Sequence, residues 1–235
     1  MSQTSIRIVS YNIRKAVGLD WKRNPERILT VLAETDADII ALQEADKRFG
    51  SRQSALPVDN LKQDMNYHAV AIDNLEQSIG WHGNTVLLKN ELQEINSCAI
   101  TLPGLEPRGA VLTRIQLKDN KQLRIIGTHL SLAGKARQQQ VAALVNYIED
   151  SKDDTPCIIA GDFNEWRTFG KAARAFAEDF KVITPGPSFH TSNPKLPLDR
   201  FVIYGELDIS DFGVHQSTLA KRASDHLPIY MDVKL

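Results

Sequence analysis

The chain is poor in cysteine, has no long apolar run and carries no excess of either charge. Its 235 residues include two cysteines, Cys98 and Cys157, each inside an apolar run. With no CxxC pair and no disulfide framework, both read as free, buried thiols. No stretch approaches the roughly 20 apolar residues needed to cross a bilayer. Met1–Ser5 shows no basic segment followed by an apolar one, so a soluble, cytoplasmic monomer is expected. Lys and Arg total 28 against 29 Asp and Glu, a formal charge of −1. That balance supplies no global attraction to DNA or acidic membranes, though local basic patches stay open. Repeats, low-complexity tracts and Ser/Gly linkers are also missing, which points to a single domain over residues 1–235. Neither a G-x-S-x-G nucleophile elbow, a G-x-x-x-x-G-K-[ST] phosphate loop nor an H-E-x-x-H zinc motif occurs. Serine hydrolase, P-loop kinase and zinc protease chemistries lose their usual signatures.

What is present is a folded composition, 42% hydrophobic and 24% charged, with many short β-like runs. Strands are expected at Ile6–Tyr11, Asp38–Leu42, Thr85–Leu88, Ala110–Leu117, Leu123–Thr128, Cys157–Ala160, Leu198–Tyr204, Leu207–Val214 and Pro228–Val233. Asn24-Pro25-Glu26 reads as a helix start, with a capping side chain, a proline in the first turn and an acid beside it. Val141, Leu144, Val145 and Ile148 follow the i, i+3, i+4, i+7 rule and predict a helix over Ala136–Glu149. Lys118–Lys121 lies between two strand-like runs and predicts a hairpin turn. The chain is therefore mixed α/β, and its sheets are not purely parallel.

The informative pattern is where the apolar runs stop. Ile6–Tyr11 runs into Asn12, Ile39–Gln43 into Glu44, Arg124–Thr128 into His129, and Cys157–Gly161 into Asp162-Phe163-Asn164. Core strands that deliver polar, ligand-type residues at their C-terminal ends mark the place where α/β proteins build sites. Each residue alone has a duller explanation. Asn12 could cap a turn, Glu44 could open a solvated helix, and His129 could be a satisfied core histidine. Asp162 and Asn164 are common loop formers, and Ser224-Asp225-His226 could be a turn. Their joint occurrence in this order is what the duller readings do not explain.

That joint pattern resembles the endonuclease/exonuclease/phosphatase superfamily of metal-dependent phosphoesterases, and among these the small bacterial hydrolases. The matching segments are Ser10–Ile13, Leu42–Glu44, Gly83–Leu87, Gly127–Leu130, Gly161–Asn164, Leu198–Arg200 and Ser224–Pro228, which span nearly the whole chain. The resemblance implies an α/β (α+β) fold, a four-layer sandwich of two mixed β-sheets packed face to face and flanked by helices.

It also implies hydrolysis of a phosphoester, foremost a phosphodiester, by activated water. A phosphodiester anion resists attack by water until its charge is neutralised, and a hard cation with oxygen ligands does this. Mg²⁺ is the expected cofactor, with Mn²⁺ as a substitute. Glu44 and Asp225 are the expected carboxylate ligands, and Asn12 a neutral oxygen donor or an orienter of a metal-bound water. His226 is a base candidate near neutral pH, and Asp199 is its partner by resemblance. His129 is expected to donate to a non-bridging oxygen, Asn164 to orient the phosphate, and Asp162 to align the water or the leaving group. The choice between Asp162 and His226 as proton acceptor is left open by the sequence.

One departure stands out. Many DNA-cleaving relatives carry an acid two positions after the first Asn, where this chain has Arg14. Arg14, Asn84 and Arg108 are expected to contact substrate, and Lys15, Lys135, Arg137, Lys221 and Arg222 gather nearby along the chain. Trp81 and Trp166 are candidates for the pocket rim. Nucleic acid, a phosphomonoester, an inositol phosphate and a phospholipid headgroup all present the same phosphate to such a core. A non-catalytic phospholigand-binding module is the alternative of another class.

Overall fold

In the computed structural model, which describes residues 5–47, 52–72, 77–117, 120–167, 176 and 178–234, a parallel strand pair lies at the heart of each of two sheets. β1 (Ser5–Asn12) and β2 (Ile39–Gln43) form the first pair. The cross-over between them is α1 (Pro25–Thr35). As expected, Asn24 caps it: its side chain accepts from the Arg27 N–H at 3.1 Å, and Pro25 opens the first turn. β7 (Gln122–His129) and β8 (Cys157–Asp162) form the second pair, with α3 (Gly134–Asp150) crossing over. A short helix, α2 (Val58–Gln63), follows β2, and a single turn, α4 (Ala220–Ala223), precedes the last strand.

Antiparallel strands extend both pairs to six-stranded sheets. On the first, β12 (Ile229–Lys234) and β11 (Asp208–Val214) lie beyond β1, and β4 (Thr85–Lys89) and β3 (Tyr67–Ala69) beyond β2. On the second, β6 (Arg108–Gln116) and β5 (Gln93–Leu102) lie beyond β7, and β10 (Asp199–Tyr204) and β9 (Phe180–Ile183) beyond β8.

Alternation along the strands divides the core into three apolar layers. Ile6, Ile8, Ile39, Ala41, Ile125, Ile158, Ala160, Phe201 and Met231 fill the space between the sheets. Val9, Tyr11, Ile40 and Leu42 face outward to Ile28, Val31 and Leu32 of α1. Ile126 and Ile159 face outward to Val141, Leu144 and Ile148 of α3. The result is the four-layer sandwich.

The expected strands are all present within a residue or two. β3, β5 and β9 were not anticipated, and all three are edge strands. An edge strand packs on one side only and needs no continuous apolar run. β5 is largely exposed, which corrects the reading of Cys98: the thiol is free but only half-buried, 3.5 Å from the Tyr147 hydroxyl, whereas Cys157 is fully buried. Residues 118 and 119 of the expected hairpin turn lie outside the described residues; β6 and β7 on either side of it pair antiparallel. No helix among the described residues is long and apolar enough to cross a membrane.

Candidate active site

Strand register decides where the polar strand ends meet. Asn12 pairs with Gln43 at the end of β1 and β2, and His129 with Asp162 at the end of β7 and β8. Asp199, the first residue of β10, lies opposite Asp162. Side chains two apart share a face. Asn12 therefore follows Ile6, Ile8 and Ser10 onto the inner face of its sheet. Asp162 follows Ile158 and Ala160, Asp199 precedes Phe201, and His129 follows Ile125 and Gly127. All four point between the sheets, at one mouth.

The sheets approach closely there. A methyl group on Gly127 would lie 3.5 Å from Ala41 Cβ, and one on Gly161 would overlap the Thr128 carbonyl oxygen at 1.9 Å. Gly161 is thus required by the contact between β7 and β8 that sets His129 beside Asp162.

Asp162 is the focus. Asn12 Nδ2 donates to its Oδ2 at 3.1 Å, a bond that crosses from one sheet to the other. His129 Nε2 lies 3.4 Å and His226 Nε2 3.6 Å from the same oxygen. The Asn164 N–H donates to Oδ1 at 2.9 Å, so both oxygens are oriented. His226 is held from behind: its Nδ1 meets Asp199 Oδ2 at 2.8 Å, Ser188 Oγ donates to that oxygen at 2.5 Å, and the Phe189 ring stands 4.9 Å away. The other Asp199 oxygen is buried without a hydrogen-bond partner among the described residues.

The two imidazoles stand in opposite charge states. Burial pushes His129 down to about 4; Asp162 opposes this, while Arg108, His226 and Lys15 add to it. Burial would also lower His226, but Asp199, Asp162 and Asp225 outweigh it and raise the ring to about 10. At neutral pH a neutral His129 and a charged His226 therefore flank one carboxylate.

A stability consequence follows for His129, whose folded value lies below its unfolded one near 6.5. Its contribution is present above about pH 6.5 and is lost as pH falls through about 4, because the unfolded chain binds the proton first. Melting temperature measured from pH 7 to 3.5 in EDTA should fall more steeply for the wild type than for His129→Gln, by up to about 1.4 kcal/mol of stability per pH unit. Parallel curves would contradict the buried neutral ring.

On the rim, consecutive residues after β1 hold the two carboxylates expected to bind metal. Lys15 Nζ pairs with Glu44, and Arg14 Nε lies 3.4 Å from Asp225 Oδ2. Glu44 is not the start of a solvated helix: it directly follows β2, half-buried, with φ +53. Arg14 (φ +46), Lys15 (φ +54) and Asn164 (φ +49) share this left-handed conformation, a concentration of backbone strain found where sites are built. The donor set suits a hard divalent ion. Glu44 and Asp225 are carboxylates at the mouth, and Asn12 adds an amide oxygen that also accepts the Arg14 N–H at 3.1 Å. Asp162, Asp199 and His226 also bring ligand-type atoms within 4.8 Å of one another, but His226 Nδ1 and Asp199 Oδ2 are already bonded to each other.

Comparison with known proteins identifies the family and the fold. Residues 9–226 match the model of the Endonuclease/Exonuclease/phosphatase family. The chain belongs to that family. The uncharacterized protein YbhP of Escherichia coli (strain K12) is 27% identical over 252 residues, covering 99% of this chain and 98% of YbhP. The structure of D. rerio TDP2 complexed with single strand DNA product superposes with a TM-score of 0.75 at 16% identity, covering 99% of this chain and 100% of that one. The human Nocturnin catalytic domain with bound sulfate anion gives 0.73 at 21% identity, over 98% and 94%. Both of these structures share the family's fold.

Within this family fold the expected residues divide. Asn12, His129, Asp162, Asn164, Asp199 and His226 meet at the mouth, with Glu44, Asp225, Arg14 and Arg108 around it. Three expected substrate contacts look different in place. Asn84 is fully buried, and its Nδ2 donates to the Trp81 and Gly109 carbonyls at 3.2 and 3.1 Å, so it packs β4 against β6 rather than facing solvent. Arg14 stacks 4.5 Å over the exposed Trp21 ring as well as pairing with Asp225. Asn164 Nδ2 donates to the Leu130 carbonyl at 2.9 Å. Trp81 is half-buried against Gly109, while Trp166 is exposed.

Sequence reasoning missed the braces, reading Arg137 only as a cation close to the site. Arg137 Nη1 donates to the Ser131 and Leu132 carbonyls after His129, and the fully buried Arg200 donates to the Glu165 and Arg167 carbonyls after Asn164. Ser188, which fixes Asp199, lies in a loop with no periodic signal. Ser224 donates to the Asn12 carbonyl at 2.7 Å and ties the Asp225–His226 turn to β1.

Proposed function

We propose that the chain is a divalent-metal-dependent phosphoesterase that hydrolyses a phosphodiester with an activated water. The reading rests on the Asp199–His226–Asp162 array, in which one carboxylate lies between a charged and a neutral imidazole. Membership of a phosphoesterase family supports it.

Glu44, Asp225 and Asn12 would hold the ion, Mg²⁺ or Mn²⁺, which when bound neutralises phosphate charge. Asp162, aligned by Asn12 and the Asn164 N–H, accepts the proton of the attacking water. The oxygen–phosphorus bond forms as the bond to the leaving oxygen breaks. His226 cannot accept that proton while it is charged, so the acceptor left open by the sequence is assigned here to Asp162. The His226 imidazolium, steadied by Asp199, sets positive charge against the phosphate as negative charge grows there. Neutral His129 donates to a non-bridging oxygen.

Nucleic acid is among the substrates this reading admits, and TDP2, a structural neighbour, was captured with a single strand DNA product. The test is turnover of bis(p-nitrophenyl) phosphate and of single-stranded, nicked and abasic DNA with Mg²⁺, Mn²⁺ or EDTA. Turnover on at least one of them that EDTA abolishes and Mg²⁺ restores is expected. Undiminished turnover in EDTA would remove the metal from the scheme. Binding of these phosphoesters with no turnover would favour a ligand-binding module.

A further inference from the structure

Beside Glu44 and His129 the mouth opens into a recess of about 180 Å³ whose walls carry Lys15, Lys47, Arg52, His82 and Arg108. Pockets that enclose a whole small ligand measure roughly 300–1,000 Å³, so this recess is sized for a group rather than a molecule. Its three acids, Glu44, Asp46 and Glu106, all have partners. Glu44 pairs with Lys15, Glu106 with Arg108 at 3.1 Å, and Asp46, which also lines the recess, accepts from Ser78 Oγ at 2.5 Å and the Ile79 N–H at 3.3 Å. Arg52 and Lys47 have no ion-pair partner among the described residues.

Arg52 Nη1 instead lies 2.9 Å from His82 Nδ1. A guanidinium only donates, so Nδ1 accepts and the ring's proton sits on Nε2. The contact thus fixes one tautomer of a neutral donor beside the Arg52 guanidinium, a group that matches phosphate geometry, and near that of Arg108, whose Nε and Nη2 donate to Glu106. His82 holds its place with φ +52, a conformation unusual for a residue with a side chain.

We propose that this recess is a second phosphate subsite, which binds a phosphomonoester that the substrate carries next to the bond that is cut. The inference rests on the phosphoesterase reading and narrows it to substrates bearing at least two phosphates. A phosphomonoester carries close to two negative charges at neutral pH against one for a diester, which suits a recess where unpaired cations outnumber unpaired acids. Arg52, His82 and Arg108 make the contacts.

Two pairs of substrates distinguish the source of that phosphate: thymidine dinucleotide with and without a 5′-phosphate, and inositol 1,4-bisphosphate against inositol 1-phosphate. In the wild type at least one pair should show a tenfold or greater preference in kcat/KM for the member with the extra phosphate. Arg52→Ala should cut that ratio at least tenfold, and Arg52→Lys should fall between. A ratio compares two substrates on one preparation, so partial misfolding cancels. Ratios within twofold for both pairs in the wild type would overturn the subsite, as would a preference that survives Arg52→Ala.

Calorimetric titration with inorganic phosphate in EDTA separates this failure from failure of the phosphoesterase reading. If no substrate turns over, tighter phosphate binding by the wild type than by Arg52→Ala, tenfold or more, keeps the subsite. Equal binding removes it.

Discussion

Replacing His226 with alanine should lower kcat/KM on bis(p-nitrophenyl) phosphate by about 10³-fold, at the upper end of the roughly 10²–10³ that one preorganised electrostatic group supplies. The ring is nearly buried, bonded to Asp199 through Nδ1 and faced to Asp162 through Nε2. No neighbouring cation can take over its charge in the same position. The substitution also strands Asp199, fully buried, with Ser188 as its remaining hydrogen-bond partner. Removing one member of a buried pair costs about 3–5 kcal/mol, so the melting temperature should fall as well.

The double variant Asp199→Asn/His226→Ala removes that stranded charge. Its stability should recover in part, while its activity stays lost. Turnover within tenfold of the wild type in His226→Ala would refute the assignment. Activity that returned together with stability in the double variant would show that the histidine acts through folding alone.

Asp162→Asn should reduce kcat by about 10³-fold and leave KM nearly unchanged, the pattern of a group whose contribution is made in the transition state. The wild-type carboxylate serves four neighbours: the Asn164 N–H, the Asn12 amide and both imidazoles. An asparagine offers one oxygen in place of two, so one of the two oriented bonds is lost. It offers no charge and accepts no proton from water at neutral pH. Because Asp162 raises both histidines, its loss should move the His226 titration downward from about 10, which NMR of the imidazole protons can follow. An unmoved titration would mean that Asp162 is not the charge His226 feels. Retained kcat would return the proton-accepting role to another group.

The legible part of this protein was its sequence of strand ends. Asn12, Glu44, His129 and Asp162 each follow a run apolar enough to be central, because a strand covered on both faces leaves a continuous hydrophobic signal. Asn24-Pro25 and the Val141–Ile148 spacing announced the two cross-over helices for equally local reasons. β3 and β9 left little signal because they are only three and four residues long, and β5 because it is largely exposed. Asn84 shows the converse limit. Its motif suggested a contact with substrate, yet its amide ended on two backbone carbonyls, a choice made by where β6 happens to pass.

The sequence by itself determined the elements, the inward parity of the polar strand ends and the types of donor available, all of which depend on neighbours a few residues apart. The tertiary structure alone decided that Asn12 of one sheet would reach Asp162 of the other, that one histidine would be neutral and the other charged, and that Arg14 and Lys15 would cover the rim carboxylates. Those outcomes depend on distances between atoms more than a hundred residues apart in some cases, and on burial that depresses a charge or pairs it. Sheet packing sets both, and no local pattern in the chain records it.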